Sequence, residues 1–227
     1  MSRQSLKKSL VLQLAVIYTR YLLGGAFVFA SLIKLKGHRF TQMQDAAVHS
    51  PAHFFEMMYQ SGLYWQFIGL AQCVAGLLLL TQRFAMLGAL AFLAIIANIF
   101  VITISYDFHY TFVVTGLMLD ATLLLLAWDW NQLRVLVGRP ARPETTSPLF
   151  ESRLWEVVGA VLFAYTAAYR ALTDQYNFLL WFGTCGAVGG LGLLLAWRRH
   201  HPARRAREHK VPPRVLNLAP QPYRRPF

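Results

Sequence analysis

Apolar residues fall into six long runs, each closed by a short polar or proline-containing stretch. A helix that crosses a bilayer needs about 20 predominantly apolar residues. The runs Leu10–Ile33, Leu63–Thr81, Phe84–Tyr106, His109–Asp129, Leu154–Leu172 and Phe178–Trp197 meet that length. The pattern predicts an all-α integral membrane protein with six transmembrane helices. The first run is expected to remain as a helix: it is too long for a signal-peptide core, contains Arg20, and lacks a small-residue cleavage site.

The polar stretches divide the chain. Residues 132–153 hold Pro140, Pro143 and Pro148 and are expected to form a cytoplasmic loop. This loop separates a four-helix membrane core, residues 1–131, from a C-terminal helix pair, residues 154–197. Residues 198–227 are basic and proline-rich without an apolar period, so they are expected to form a disordered cytoplasmic tail. Between the first two spans, His53–Tyr59 is rich in Phe and Met and is suited to lie along the membrane surface as a short helix over the mouth of the bundle.

Composition agrees. The chain of 227 residues is 56% hydrophobic and only 14% charged, whereas soluble domains carry about 25% charged residues. Its net charge of +12 raises nucleic-acid binding, but the basic residues lie between and after apolar runs, as in a membrane protein, and nucleic acid is not expected as a partner. With the N-terminus inside, one face holds Arg3, Lys7, Lys8, Arg83, Arg134, Arg139, Arg142, Arg153 and the tail from Arg198 to Arg225. The other holds only Lys34, Lys36, Arg39 and Arg170. The positive-inside rule then puts both termini in the cytoplasm. Trp65, Trp128, Trp130, Trp155, Trp181 and Trp197 near the span ends fit interfacial belts. Cys73 and Cys185 both lie in apolar runs and read as small buried residues.

Ionisable residues within a span are functional-site candidates by default. Arg20 falls near the middle of the first run and Asp120 near the middle of the fourth, with Gln72 central in the second and Asn98 slightly outward of centre in the third. Helical spacing places Arg20, Gly24, Phe27, Ser31 and Lys34 on one stripe, and Gly69, Gln72 and Gly76 on one face. Gly88, Ala91, Asn98, Ile102 and Ser105 are expected to share a face of the third helix, and Gly116 and Asp120 one of the fourth. Together they predict a polar layer inside the bundle, with Arg20 paired to Asp120. Two readings of that layer stay open: a structural ion pair that fixes helix register, or a site for a small polar ligand, a proton or a quinone headgroup. Pro51 breaks the helical spacing of His49 and His53, no histidine lies inside a span, and neither a metal nor a haem is expected. No P-loop, GxGxxG or Ser/His/Asp constellation occurs.

Arg20, Gly24, Gly25, Phe29 and Lys34, then Gly69-Leu-Ala-Gln72 through Ala75-Gly76-Leu77-Leu78, then Asn98 to Ser105 and Leu126-Ala-Trp128-Asp129 resemble the DoxX and DoxX-like membrane proteins over roughly residues 10–131. Gln72 stands where many relatives carry a glutamate, and Ser31 where a glycine often precedes the lysine. The resemblance implies a four-helix core in a small bacterial inner-membrane subunit. Some relatives serve thiosulfate:quinone oxidoreductases or quinone and oxidative-stress responses; distant ones are cargo receptors or assembly chaperones. The leading expectation is a membrane subunit of a redox system, with a quinone or small reductant held at Arg20, Gln72, Asn98 and Asp120 and electrons supplied by a protein partner. The alternative is a non-catalytic scaffold, assembly chaperone or partner-binding subunit. A transporter is disfavoured, because no inverted repeat is evident and no proline breaks a span.

The topology has a direct check. In intact cells, with the native cysteines replaced, single cysteines at Ser5, Thr146 and Pro220 should be shielded from an impermeant thiol reagent, and one at Gln44 should react. Labelling of Thr146 from outside would refute the orientation.

Overall fold

A helix that crosses hydrocarbon satisfies its backbone internally and has its ends at the interface, where water can complete the terminal groups, so side-chain caps become optional. The computed structural model describes residues 7–40, 47–136, 138–140 and 153–208. These are all-helical, with eight helices and no strand: α1 (Leu10–Leu35), α2 (Pro51–Gln60), α3 (Leu63–Leu80), α4 (Ala85–Ser105), α5 (Thr111–Trp128), α6 (Trp130–Leu136), α7 (Arg153–Leu172) and α8 (Phe178–Glu208). The apolar helices α1, α3, α4 and α5 start without a capping side chain. The short polar-faced α2 does use one: Ser50 Oγ accepts from the His53 backbone N–H at 3.2 Å, with Pro51 in the first turn. It covers the segment expected to form a surface helix.

Five helices are long and apolar enough to cross a membrane: α1, α3, α4, α5 and the Phe178–Arg198 part of α8. The sixth expected span, α7, does not reach that apolarity, since Arg153, Glu156 and Arg170 fall within it. Its packing still carries it along most of α1. The Tyr21 hydroxyl donates to the Trp155 carbonyl near one end of α7. Near the other, the Arg170 guanidinium sits 4.7 Å from the Phe29 ring, and just past it Lys36 Nζ meets Asp174 at 2.9 Å. Helix α7 is therefore parallel to α1 and occupies the same depth. Helix α8 returns in the opposite direction, with Trp181 against Phe29 at its start and the Tyr18 hydroxyl donating to Gly189 O at 2.8 Å further on. It continues to Glu208, past the Trp197 expected from the apolar run. The expected loop 132–153 opens inside α6, and its residues 141–152, like 209–227 of the tail, lie outside the described residues.

Helix α1 is the hub. It buries Gln13, Ile17, Arg20, Tyr21, Leu23, Gly24, Phe27, Val28, Ser31 and Lys34, the whole of its expected stripe included. One apolar cluster joins it to α7 and α8 through Ile17, Tyr21, Trp155, Val158 and Leu162. A second joins it to α3, α4 and α5 through Leu23, Phe27, Leu79, Phe92 and Leu125, with the Phe27 and Phe92 rings stacked at 3.7 Å. The most extensive contact is between α1 and α3. There a Cβ on Gly76 would come within 2.6 Å of Gly24 O, and one on Gly69 within 2.8 Å of Lys34 Cβ. Small residues allow this approach, and in lipid close packing supplies much of the driving force.

The tightest crossing is that of α7 on the end of α3, where a Cβ on Gly159 would lie 1.8 Å from Leu80 O. Gly159→Ala must therefore push α7 off, and forced overpacking typically costs about 1–3 kcal/mol. Thermal unfolding in mild detergent should show a clear drop for Gly159→Ala. Gly183→Ala, whose Cβ meets nothing within 4 Å, should leave the melting temperature unchanged or raise it.

Candidate functional site

The interior charge of this bundle lies at its ends. Arg20, 3% exposed, donates from Nη2 to Asp129 Oδ2 at 2.7 Å and from Nη1 to Gln82 Oε1 at 3.1 Å. Asp129 is the C-cap of α5, and Gln82 lies in the turn after α3 with a left-handed φ of 59°, a conformation uncommon outside glycine. Arg20 is thus level with the ends of its neighbours, although it falls near the middle of its own apolar run. The reason is length. At 26 residues α1 is about 39 Å long, against about 27 Å for the 18 residues of α3 or α5.

The opposite end holds Lys34, Lys36, Arg39 and Arg170. Lys34, 6% exposed, donates from Nζ to Ala30 O at 2.8 Å and lies 5.2 Å from the Trp65 ring and 5.4 Å from that of Phe40. Trp65 in turn donates from Nε1 to His38 O at 3.0 Å. Arg39 holds Glu56 of α2 with two bonds of 3.0 and 3.2 Å, and this hydrogen bonding keeps the Glu56 carboxyl below its usual range. Lys36 lowers Asp174 in the same way. These pairs fasten α2 and the α7–α8 turn to the end of α1.

The expected common layer does not form. Arg20 pairs with Asp129, not with Asp120, which lies nine residues earlier on α5, about 13 Å along the helix. Gln72 is buried on the α1-facing side of α3, and its Oε1 has no hydrogen-bond partner among the described residues. Asn98 is exposed beside the groove between α3 and α4, and Asp120 is exposed on the outer side of α5, so neither meets Arg20 or Gln72. The expected faces of α1 and α3 are the buried ones, but those of α4 and α5 are not. The buried residues of α4 are Ala85, Gly88, Ala89, Phe92, Ile96 and Thr103, and those of α5 are Thr115, Thr122, Leu125 and Leu126. A helix that is apolar all round, as α4 is, has no stripe in its sequence to say which side faces inward.

Two candidate features stand in place of that layer. The first is a cavity of about 500 Å³ between α3 and α4, walled by Phe67, Ile68, Ala71, Ile95, Ile99 and Ile102 and covered by Phe54 and Met58 of α2. Asn98 is its amide group; one Nδ2 hydrogen bonds Ala94 O at 2.7 Å, and no described residue donates to Oδ1. The second is Asp120 itself. It lies on an outward stripe with Val113, Leu117 and Leu124, of which Leu117 is 64% and Leu124 71% exposed, and it makes no hydrogen bond or ion pair with a described residue. A carboxyl at the centre of a spanning helix costs roughly 2.5–3.5 kcal/mol on insertion scales, and among the described residues nothing offsets that cost for Asp120.

Asp129 and Gln82 are the residues that sequence reasoning passed over. Asp129 ends an apolar run and looks like an interfacial residue; Gln82 lies in a turn. The sequence clue was the need for a carboxylate to neutralise Arg20, combined with the unequal helix lengths. No family model, no curated protein and no solved structure matches this chain.

Breaking a buried ion pair on one side typically costs about 3–5 kcal/mol. Arg20→Met and Asp129→Leu should therefore each destabilise the detergent-solubilised protein strongly, and the double variant should recover part of the loss. Asp120→Leu should cost little and show no coupling to Arg20. Coupling of Arg20 to Asp120 instead would overturn this arrangement.

Proposed function

We propose that this chain is a non-catalytic, partner-binding membrane subunit, held in a bacterial cytoplasmic membrane with both termini on the cytoplasmic side. The observation that carries the reading is Asp120, a carboxyl at mid-span on the lipid-facing side of α5 with no partner within the described chain. A hydrogen-bonding group in that position is satisfied when another transmembrane helix meets it. Arg20, the strongest interior charge, is already neutralised by Asp129 and braced by Gln82, which suits a role in holding helices together. The orientation rests on the lysine and arginine asymmetry between loops, and the placement of α7 beside α1 supports an even number of crossings.

A second reading, a quinone-binding subunit of a redox system, draws on the cavity between α3 and α4. Its apolar walls suit an isoprenoid or aromatic molecule entering from the bilayer, and Asn98 offers both a donor and an acceptor to a quinone or quinol head. The resemblance to DoxX-like proteins leans the same way. With neither Gln72 nor Arg20 on that wall, Asn98 is the one residue of the expected ligand set that lines it.

The readings separate in one preparation. A photoreactive residue at Leu117 should give protein adducts of discrete mass in native membranes, whereas one at Leu191, equally outward on α8, should not. Adducts to lipid alone at Leu117, together with saturable quinone-analogue binding that Asn98→Leu weakens, would replace the first reading by the second.

A further inference from the structure

Arg170 differs from the other buried cations of this chain. Arg20 donates to Asp129 and Gln82, and Lys34 donates to Ala30 O. Arg170 lies in the last turn of α7 and is 5% exposed, yet its Nε and Nη1 are buried with no hydrogen-bond partner among the described residues. No described carboxylate comes within ion-pair distance of it. The guanidinium carbon sits instead in a corner of two nearly perpendicular rings, 4.7 Å from Phe29 and 4.4 Å from Tyr176. Aromatic rings offset part of the charge, but they supply no oxygen to the N–H donors. A buried charge left in that state is costly.

The surroundings leave positive charge over. Asp174, in the turn after α7, bonds Lys36 at 2.9 Å and faces His38 at 3.7 Å, and its side chain is 72% exposed. The Lys36 hydrogen bond holds the Asp174 carboxyl below its usual range, with a smaller contribution from Arg170, which is therefore within electrostatic reach. One carboxylate thus faces two permanent cations, Lys36 and Arg170. Both lie at the end of the α1–α7 pair, where Tyr176 and Trp181 lie beside Phe29. Tyrosine and tryptophan collect at the level of lipid headgroups, and the anion available at that level is phosphate. A guanidinium presents paired N–H groups that match two phosphate oxygens, and an ammonium adds a point charge.

We propose that Arg170 and Lys36 form a binding site for one phosphate group at the headgroup level of the α1–α7 end, carried by a phospholipid or free in solution. Tyr176, 49% exposed on the α7–α8 turn, is the cover that swings aside to admit it. Arg170 donates to two phosphate oxygens, and Lys36 exchanges the Asp174 carboxylate for the phosphate. The site lies apart from Asp120 and does not depend on the partner-binding reading.

The test follows the melting temperature of the full-length protein in dodecyl maltoside during three titrations. Dioctanoyl phosphatidylglycerol carries phosphate and chains, dioctanoylglycerol carries chains alone, and inorganic phosphate carries no chain. A ligand that binds the folded state raises the melting temperature in a saturable way. Phosphatidylglycerol should do so and dioctanoylglycerol should not. Arg170→Gln should weaken that binding about tenfold or more, the scale of losing hydrogen bonds to a charged group. Arg83→Gln, at the other end of the bundle, should leave it unchanged. Asp174→Asn keeps Arg170 and its aromatic corner and removes the competing carboxylate. It should therefore fold as wild type and bind about two- to fivefold more tightly, the scale of an exposed ion pair. Inorganic phosphate that protects as well as the lipid, with the same dependence on Arg170, would support the phosphate site and assign it to a free anion. Equal protection by dioctanoylglycerol, undiminished binding in Arg170→Gln, or an Asp174→Asn variant that binds no better than wild type would overturn the proposal.

Discussion

The close crossing of α1 and α3 is the constraint on which the rest of the bundle depends. Backbone meets backbone at Gly24 and Gly76, and Gly69 admits the base of Lys34. No larger side chain is compatible with that separation. Lipid tails are as apolar as leucine, so burying leucine against leucine gains little here, and contact at this range is what membrane helices have to offer each other. With α3 fixed against one side of α1, its other sides remain for α7, α8 and α5. Both apolar clusters include α1 residues for that reason.

Charge is used to tie down the ends of this packing. Arg20 ties α1 to the ends of α3 and α5 through Gln82 and Asp129. At the opposite end Lys36, Arg39 and their carboxylates attach the α7–α8 turn and α2. Each tie lies where a helix stops, so the ionic groups are near water or interface while their partners complete them. The middle of the bundle is left to glycine, aromatic and aliphatic contacts, apart from Gln72. The interior of this protein is thus built mainly for cohesion, with Gln72 Oε1 left without a described partner, while the carboxyl of Asp120 faces outward. That distribution is the physical basis for reading it as a subunit that works by association. The cavity roofed by α2 is the feature that would suit a bound lipophile.

The membrane class, the helical content and five of the six expected spans were legible from apolar length alone, because an α-helix satisfies its own backbone in hydrocarbon. The stripe of α1 and the glycine face of α3 were also legible, since polar and small residues interrupt those runs at helical spacing. The helical segment over the bundle mouth could be read from the Phe and Met residues that precede the second span. On α4 and α5 the same logic fails. Their surroundings are apolar inside and outside, so a polar residue such as Asn98 or Asp120 does not mark the inward face. Nor does position within a run give depth when helices differ in length, which is why Asp129, and not Asp120, neutralises Arg20. Only the tertiary structure decided rotation and relative height, because these depend on where glycine lets backbones touch across the bundle, a property of pairs of helices and not of any one of them.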